Sequence, residues 1–188
     1  MKTQMHEKQR YLVLSAMFAA IIALTITYLF HIPTGVTGYI HLGDAFIYLA
    51  GSFLPAPYAC AAAALGGGLA DIMSGSAIWA IPTMIIKPLT ALWFTNKGDK
   101  MLNRRNIIAM FGAGVVSIVG YYVAEAIMYG NWVAALASMG PNLIQSAGSA
   151  VLFSVMEGAM LEGWQAAGSA RGACRPLMVD ESSARMRN

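Results

Sequence analysis

Long apolar runs alternate with short polar breaks along this chain, and the runs have the length a bilayer demands. A spanning helix needs about 20 mostly apolar residues, each adding about 1.5 Å. Six runs fit: Tyr11–Phe30, Tyr39–Leu54, Pro57–Met73, Ala77–Phe94, Ile107–Tyr129 and Pro141–Trp164. The second is the shortest and is bounded by Pro55. At about 24 Å it requires bilayer thinning, burial by its neighbours, or a start near Thr37. Lys2, Lys8 and Arg10 give the first run the basic start of a signal peptide. That run is too long for a typical signal core and no clear cleavage signature ends it, so it is read as a helix. The pattern predicts an all-α integral membrane bundle of six transmembrane helices over residues 1–164. A polar, basic, flexible cytoplasmic tail is expected over 165–188.

Composition supports the membrane reading. The 188 residues are 57% hydrophobic and 11% charged, against about 25% charged in soluble domains. The placement of the positive charges then orients the bundle. Apart from Lys87, every lysine and arginine precedes the first run, lies between the fourth and fifth, or follows the sixth. The positive-inside rule puts those segments, and both termini, in the cytoplasm. The expected location is a bacterial cytoplasmic membrane.

Several chemistries have no signature here. No Walker-type phosphate loop, His-Glu-x-x-His or Gly-x-Ser-x-Gly occurs. His6, His31 and His41 are not at metal-ligand spacing, and Cys60 and Cys174 form no redox or metal pair. No enzyme, metal, cofactor or nucleic-acid partner is expected.

The candidate site comes from ionisable residues inside the predicted spans, which cost about 2.5–3.5 kcal/mol each on insertion scales. They are Asp44, Asp71, Lys87, Glu125 and Glu157. The topology places all but Glu157 in the outer half. Helical spacing extends this set. Trp79, Thr83 and Lys87 are successive i+4 steps with Thr90 three further on; Tyr121, Tyr122 and Glu125 share a face; Asn142, Gln145, Ser146 and Ser149 form one stripe. Three consecutive helices thus present polar faces toward one end, the composition of a small-molecule pocket. Bland readings stand beside this one. Lys87 is either a strut paired with Asp71 or Glu125, or a ligand donor; Asp44 is read first as a cap for the second helix. The tyrosines fit an interfacial belt, the Asn142–Gln145 stripe fits interhelical bonding, and His41 fits a solvated loop. Pro88 removes a backbone donor beside Lys87. In the first run, Ala16 and Ala20 lie on a small-x-x-x-small face suited to close helix contact. In the third, Gly66 to Gly68 suit internal packing.

Three motifs in order carry a resemblance: His41-Leu-Gly-Asp-Ala-Phe-Ile-Tyr, then Gly66-Gly-Gly-Leu-Ala-Asp71-Ile-Met-Ser-Gly75, then Ile78-Trp-Ala-Ile-Pro-Thr83-Met-Ile-Ile-Lys87. Over residues 11–163 the chain resembles the S components, the substrate-binding membrane subunits, of energy-coupling factor (ECF) vitamin transporters. It is most similar to the riboflavin-type branch, which includes hydroxymethylpyrimidine-type members. The resemblance implies a six-helix bundle that captures a vitamin or precursor outside and works with a transmembrane T component and two ABC ATPases. It implies that Ala16 and Ala20 dock on the T component. It also implies that the outer parts of helices four to six hold the ligand under the His31–His41 loop.

The substrate-binding set expected is Lys87, Glu125, Asn142, Gln145, Trp79, Thr83, Tyr122, Asp71 and His41. Its surplus of carboxyl groups suits a donor-rich flat heterocycle. A thiamine-precursor-like ligand is favoured, with pyridoxine-like and riboflavin-like ligands open. The rival reading is a stand-alone secondary transporter or channel with an intramembrane carboxylate relay; no inverted repeat of broken helices supports it.

Overall fold

The computed structural model describes the backbone of residues 2–29, 32–33, 39–97 and 103–185. Six α-helices dominate it: α1 (Lys2–Tyr28), α2 (Asp44–Phe53), α3 (Ala56–Met73), α4 (Ala80–Ala91), α5 (Arg104–Tyr129) and α6 (Met139–Arg185). Single turns of tighter helix, Ala77–Trp79 and Ala134–Ser138, lead into α4 and α6. Two short strands, β1 (Ile32–Pro33) and β2 (Tyr39–Ile40), pair antiparallel between α1 and α2, with Ile32 opposite Ile40. The chain divides into two compact units, Met1–Phe153 and Ser154–Asn188. The first contains every element up to the first third of α6; the second continues α6.

Among the described residues, three segments are long and apolar enough to cross a membrane: Met5–Tyr28, Arg104–Tyr129 and Ala134–Met160. Three predicted boundaries change markedly: α6 runs on to Arg185 rather than ending at Trp164, and the first two helices start elsewhere. The first helix begins at Lys2 rather than Tyr11, because the polar residues before the apolar run are themselves good helix formers. The second begins at Asp44 rather than Tyr39, because Tyr39 and Ile40 spend their backbone on the strand pair. The remaining helix of 10 residues is about 15 Å long, too short to span alone. Burial by neighbours is its solution: only Phe46 and Phe53 of α2 escape full burial. The expected tail, 165–188, falls on residues whose side chains lie outside those described, as does most of the His31–His41 loop.

The core is built on close backbone approach. Ala19, Ile22 and Ile26 of α1 pack on Ala59, Ala62, Ala63 and Ala70 of α3. A Cβ on Gly66 would sit 2.8 Å from the Ala19 carbonyl oxygen, and one on Gly67 would sit 2.7 Å from Thr83 Cγ2. The triple glycine therefore lets α3 press against α1 on one side and α4 on the other, as expected for internal packing. Ala16 and Ala20 point away from this contact and are exposed.

Helix ends are set locally. Asn103 caps α5, its side-chain oxygen accepting from Asn106 N–H at 2.9 Å. Gly130, at φ 65°, ends the same helix in the left-handed conformation that glycine adopts most readily. Asn106 is itself buried; its amide donates to Ser52 Oγ at 3.2 Å and to the Thr95 carbonyl at 3.1 Å. It ties the start of α5 to the ends of α2 and α4. Pro88 lies inside α4, which continues through it.

Candidate functional site

A cavity of about 70 Å³ opens where α1, α3 and α5 end and α2, α4 and α6 begin. Its walls are aromatic and its edges polar. Tyr39 and His41 enter from the segment before α2, Asp71 from the last turn of α3, and Trp79 and Thr83 from the start of α4. Tyr121 and Glu125 come from the end of α5, Ser138 from the tight turn before α6, and Asn142 and Gln145 from the start of α6. Each helical pair is spaced i+4 or i+3, so one face of each helix turns inward.

Beneath it lies an ion pair. Lys87 Nζ stands 2.6 Å from Asp44 Oδ1, and both side chains are only 1% exposed. This corrects two expectations: Lys87 pairs with Asp44 rather than Asp71 or Glu125, and Asp44 is a buried counter-ion rather than a cap. Helix α2 starts with no side-chain cap bond, which frees the carboxylate for the lysine. The ammonium also lies 5.1 Å from the centroid of the Tyr121 ring, within cation–π range. Asp44 Oδ2 accepts from Gln145 Nε2 at 3.2 Å, and Gln145 Oε1 accepts from His41 N–H at 3.3 Å. One chain of bonds therefore links α4, α2, α6 and the segment after β2. His41 Nδ1 accepts from Gly43 N–H at 3.1 Å, so the proton of the neutral ring resides on Nε2.

The upper wall is held by two phenols. Tyr39 donates to Asp71 Oδ1 at 2.8 Å, and Thr83 and Tyr121 share a hydroxyl bond of 3.0 Å. Burial and the Asp71 carboxylate push the Tyr39 phenol above its ordinary pKa, which keeps it a donor. Trp79 packs on Tyr121 at 6.1 Å between centroids. Two acceptors remain unsatisfied: Asp71 Oδ2 and Glu125 Oε2 are buried and meet no hydrogen-bond partner among the described residues. They stand on different helices and flank the same cavity. Among the described residues no three His, Cys, Asp or Glu side chains gather as a metal site.

A six-helix bundle with an aromatic, carboxyl-bearing cavity at one end can now be set beside known proteins. The family model of the ECF-type riboflavin transporter S component matches residues 7–160. The chain belongs to this family. It is accordingly a multi-pass membrane protein of vitamin uptake, in a family of transport components rather than enzymes. A comparison with curated proteins gave no match.

In this S component the cavity gathers His41, Asp71, Trp79, Thr83, Glu125, Asn142 and Gln145 from the predicted set. It leaves out Lys87, which lies below, and Tyr122, whose ring instead meets Trp132 at 5.9 Å. Tyr121 stands where Tyr122 was expected. The choice between adjacent tyrosines follows from Glu125: Tyr121 is i−4 to it and bonds Thr83, whereas Tyr122 packs on Trp132. Tyr39 and Ser138 were not anticipated. Tyr39 precedes the second helix, and Ser138 closes a tight turn, so helical periodicity marked neither. Glu157 is buried further along α6.

Proposed function

We propose that this S component captures a small, flat, donor-rich heterocyclic vitamin or vitamin precursor in the cavity. It then delivers the ligand inward with a transmembrane T component and two ABC ATPases. The observation that carries this reading is the pair of buried, unsatisfied carboxyl oxygens, Asp71 Oδ2 and Glu125 Oε2, on two helices that line one aromatic-walled cavity. A buried acceptor without a partner costs about 1–3 kcal/mol, more for a charged group. A ligand bearing N–H or O–H donors on two edges removes both penalties while its ring packs on Trp79, Tyr121 or Tyr39. His41, Thr83, Asn142 and Gln145 complete the polar rim; Lys87 serves as a strut beneath it.

The volume favours a single ring over a larger ligand. Sites for drug-sized molecules run about 300–1,000 Å³, so even a one-ring ligand requires its walls to part. Tyr39 and His41 sit on non-helical backbone, so they can shift without breaking a helix, at the cost of their bonds to Asp71 and Gln145. An aminopyrimidine of the thiamine-precursor type fits best. Riboflavin is the second reading, favoured by the description of the matching family; a pyridoxine-like ring shares the donor chemistry.

The placement of lysines and arginines along the sequence supports both termini inside, six spans, and 165–188 as a basic cytoplasmic tail; the membrane in this reading is a bacterial cytoplasmic one. Exposed Ala16 and Ala20 on α1 supply the face for the T component. Fluorescence titration tests the ligand class, because Trp79 lines the cavity. An aminopyrimidine should quench saturably and at lower concentration than pyridoxine or riboflavin. Tighter binding of riboflavin would transfer the assignment to the second reading. Uptake into liposomes by this chain alone would instead support the rival secondary transporter.

A further inference from the structure

A second concavity lies at the other end of the first unit, between α4 and α5. It is a groove of about 770 Å³ whose walls include Leu89, Leu92, Ile108 and Val116, with Arg105 at its polar end and Trp93 midway along it, beside Gly112. Trp93 is anchored against α5: a Cβ on Gly112 would lie 2.6 Å from Trp93 Cδ2, so only glycine lets the indole lie flat there. We propose that this groove binds one anionic phospholipid, with its phosphate on Arg105 and an acyl chain along Leu89, Leu92, Ile108 and Val116.

Dimensions and charge both select this occupant. From Arg105 to Val116 the helix rises about 16 Å, close to half of the about 30 Å hydrocarbon core, which is the depth of one leaflet. Trp93, beside Gly112, then lies about 10 Å along the acyl path from Arg105, which falls at the headgroup level. Lys97, Arg104 and Arg105 are exposed at that level, and no described carboxyl group pairs with them. Basic pockets between membrane helices recruit anionic headgroups, each cation contributing about 1 kcal/mol. A zwitterionic lipid satisfies the walls but not the guanidinium. The inference needs only the chain's place in a bilayer and is independent of the vitamin reading.

The test uses the full chain in phosphatidylcholine nanodiscs, with Trp79, Trp132 and Trp164 replaced by Phe so that Trp93 alone reports. Brominated phosphatidylglycerol should quench Trp93 at about one-fifth of the mole fraction that brominated phosphatidylcholine requires, the factor for one cation. Arg105→Gln should abolish the preference and Arg104→Gln should retain most of it. Native mass spectrometry of the chain with all its tryptophans should show one retained phosphatidylglycerol, lost in Arg105→Gln. Equal quenching by both lipids, or equal loss with Arg104→Gln, overturns the proposal. So does a dimer in which Trp93 is shielded from both lipids, because the groove would then be a protein interface.

Discussion

Lys87 and Asp44 form a buried pair whose partners depend on each other more than the fold depends on the pair. Removing one partner of such a pair leaves an uncompensated charge and costs about 3–5 kcal/mol, whereas replacing both by apolar groups is often neutral. Asp44→Asn should therefore lower stability by that amount in a denaturant titration. Adding Lys87→Met to Asp44→Asn should restore most of it. A double variant as unstable as the single would show that the pair is not the seat of the loss. At the cavity, Asp71→Asn and Glu125→Gln should each weaken ligand binding by about tenfold to a hundredfold, the range of a hydrogen bond to a charged group. Calorimetry should show this without loss of thermal stability. The depth of these carboxyl groups was legible in the sequence because charges in apolar runs stand out and helical rise gives their level. The partner of Lys87 was not, since Asp44 lies 43 positions away and meets it only through the packing of α2 on α4. Tyr121 and Tyr122 differ by one position, and periodicity alone cannot choose between neighbours about 100° apart on a helix.

At the scale of elements, α3 is the spine, and its glycines set how close α1 and α4 come. Gly67→Ala places a methyl 2.7 Å from Thr83 Cγ2 and 3.2 Å from Lys87 Cγ. Overpacking of this kind costs about 1–3 kcal/mol. It should also weaken ligand binding, because the displaced helix carries Thr83 and Trp79. Gly140→Ala meets nothing within 4 Å and serves as the neutral control; comparable losses in both would mean that helix packing at Gly67 is not special. Small-residue runs announced this contact in advance. The length of α2 could not be read the same way. Tyr39 and Ile40 are apolar enough to extend a helix, and only their pairing with Ile32 and Pro33 removes them from it. That same pairing brings Tyr39 to Asp71, so the misread helix boundary and the missed site residue have one cause.

Within the first unit, the cavity at one end and Lys8, Arg10, Lys97, Arg104 and Arg105 at the other define an axis, and the exposed face of α1 defines a side. Ala16→Leu with Ala20→Leu should abolish co-purification with the T component while leaving vitamin affinity unchanged, because neither alanine packs inside the bundle. Loss of both properties together would place α1 in the ligand site rather than at the partner contact. The family and the bundle were legible because motif order and span spacing survive in a linear reading. The ligand was not, because a shared fold accommodates different pockets. The most direct test of the account is mass spectrometry of small molecules released from the purified protein and from its Glu125→Gln variant. The account predicts a near-stoichiometric, donor-rich heterocycle from the parent chain and its loss from the variant. The same molecule released in equal amount from both would contradict the carboxyl-bearing cavity as the capture site.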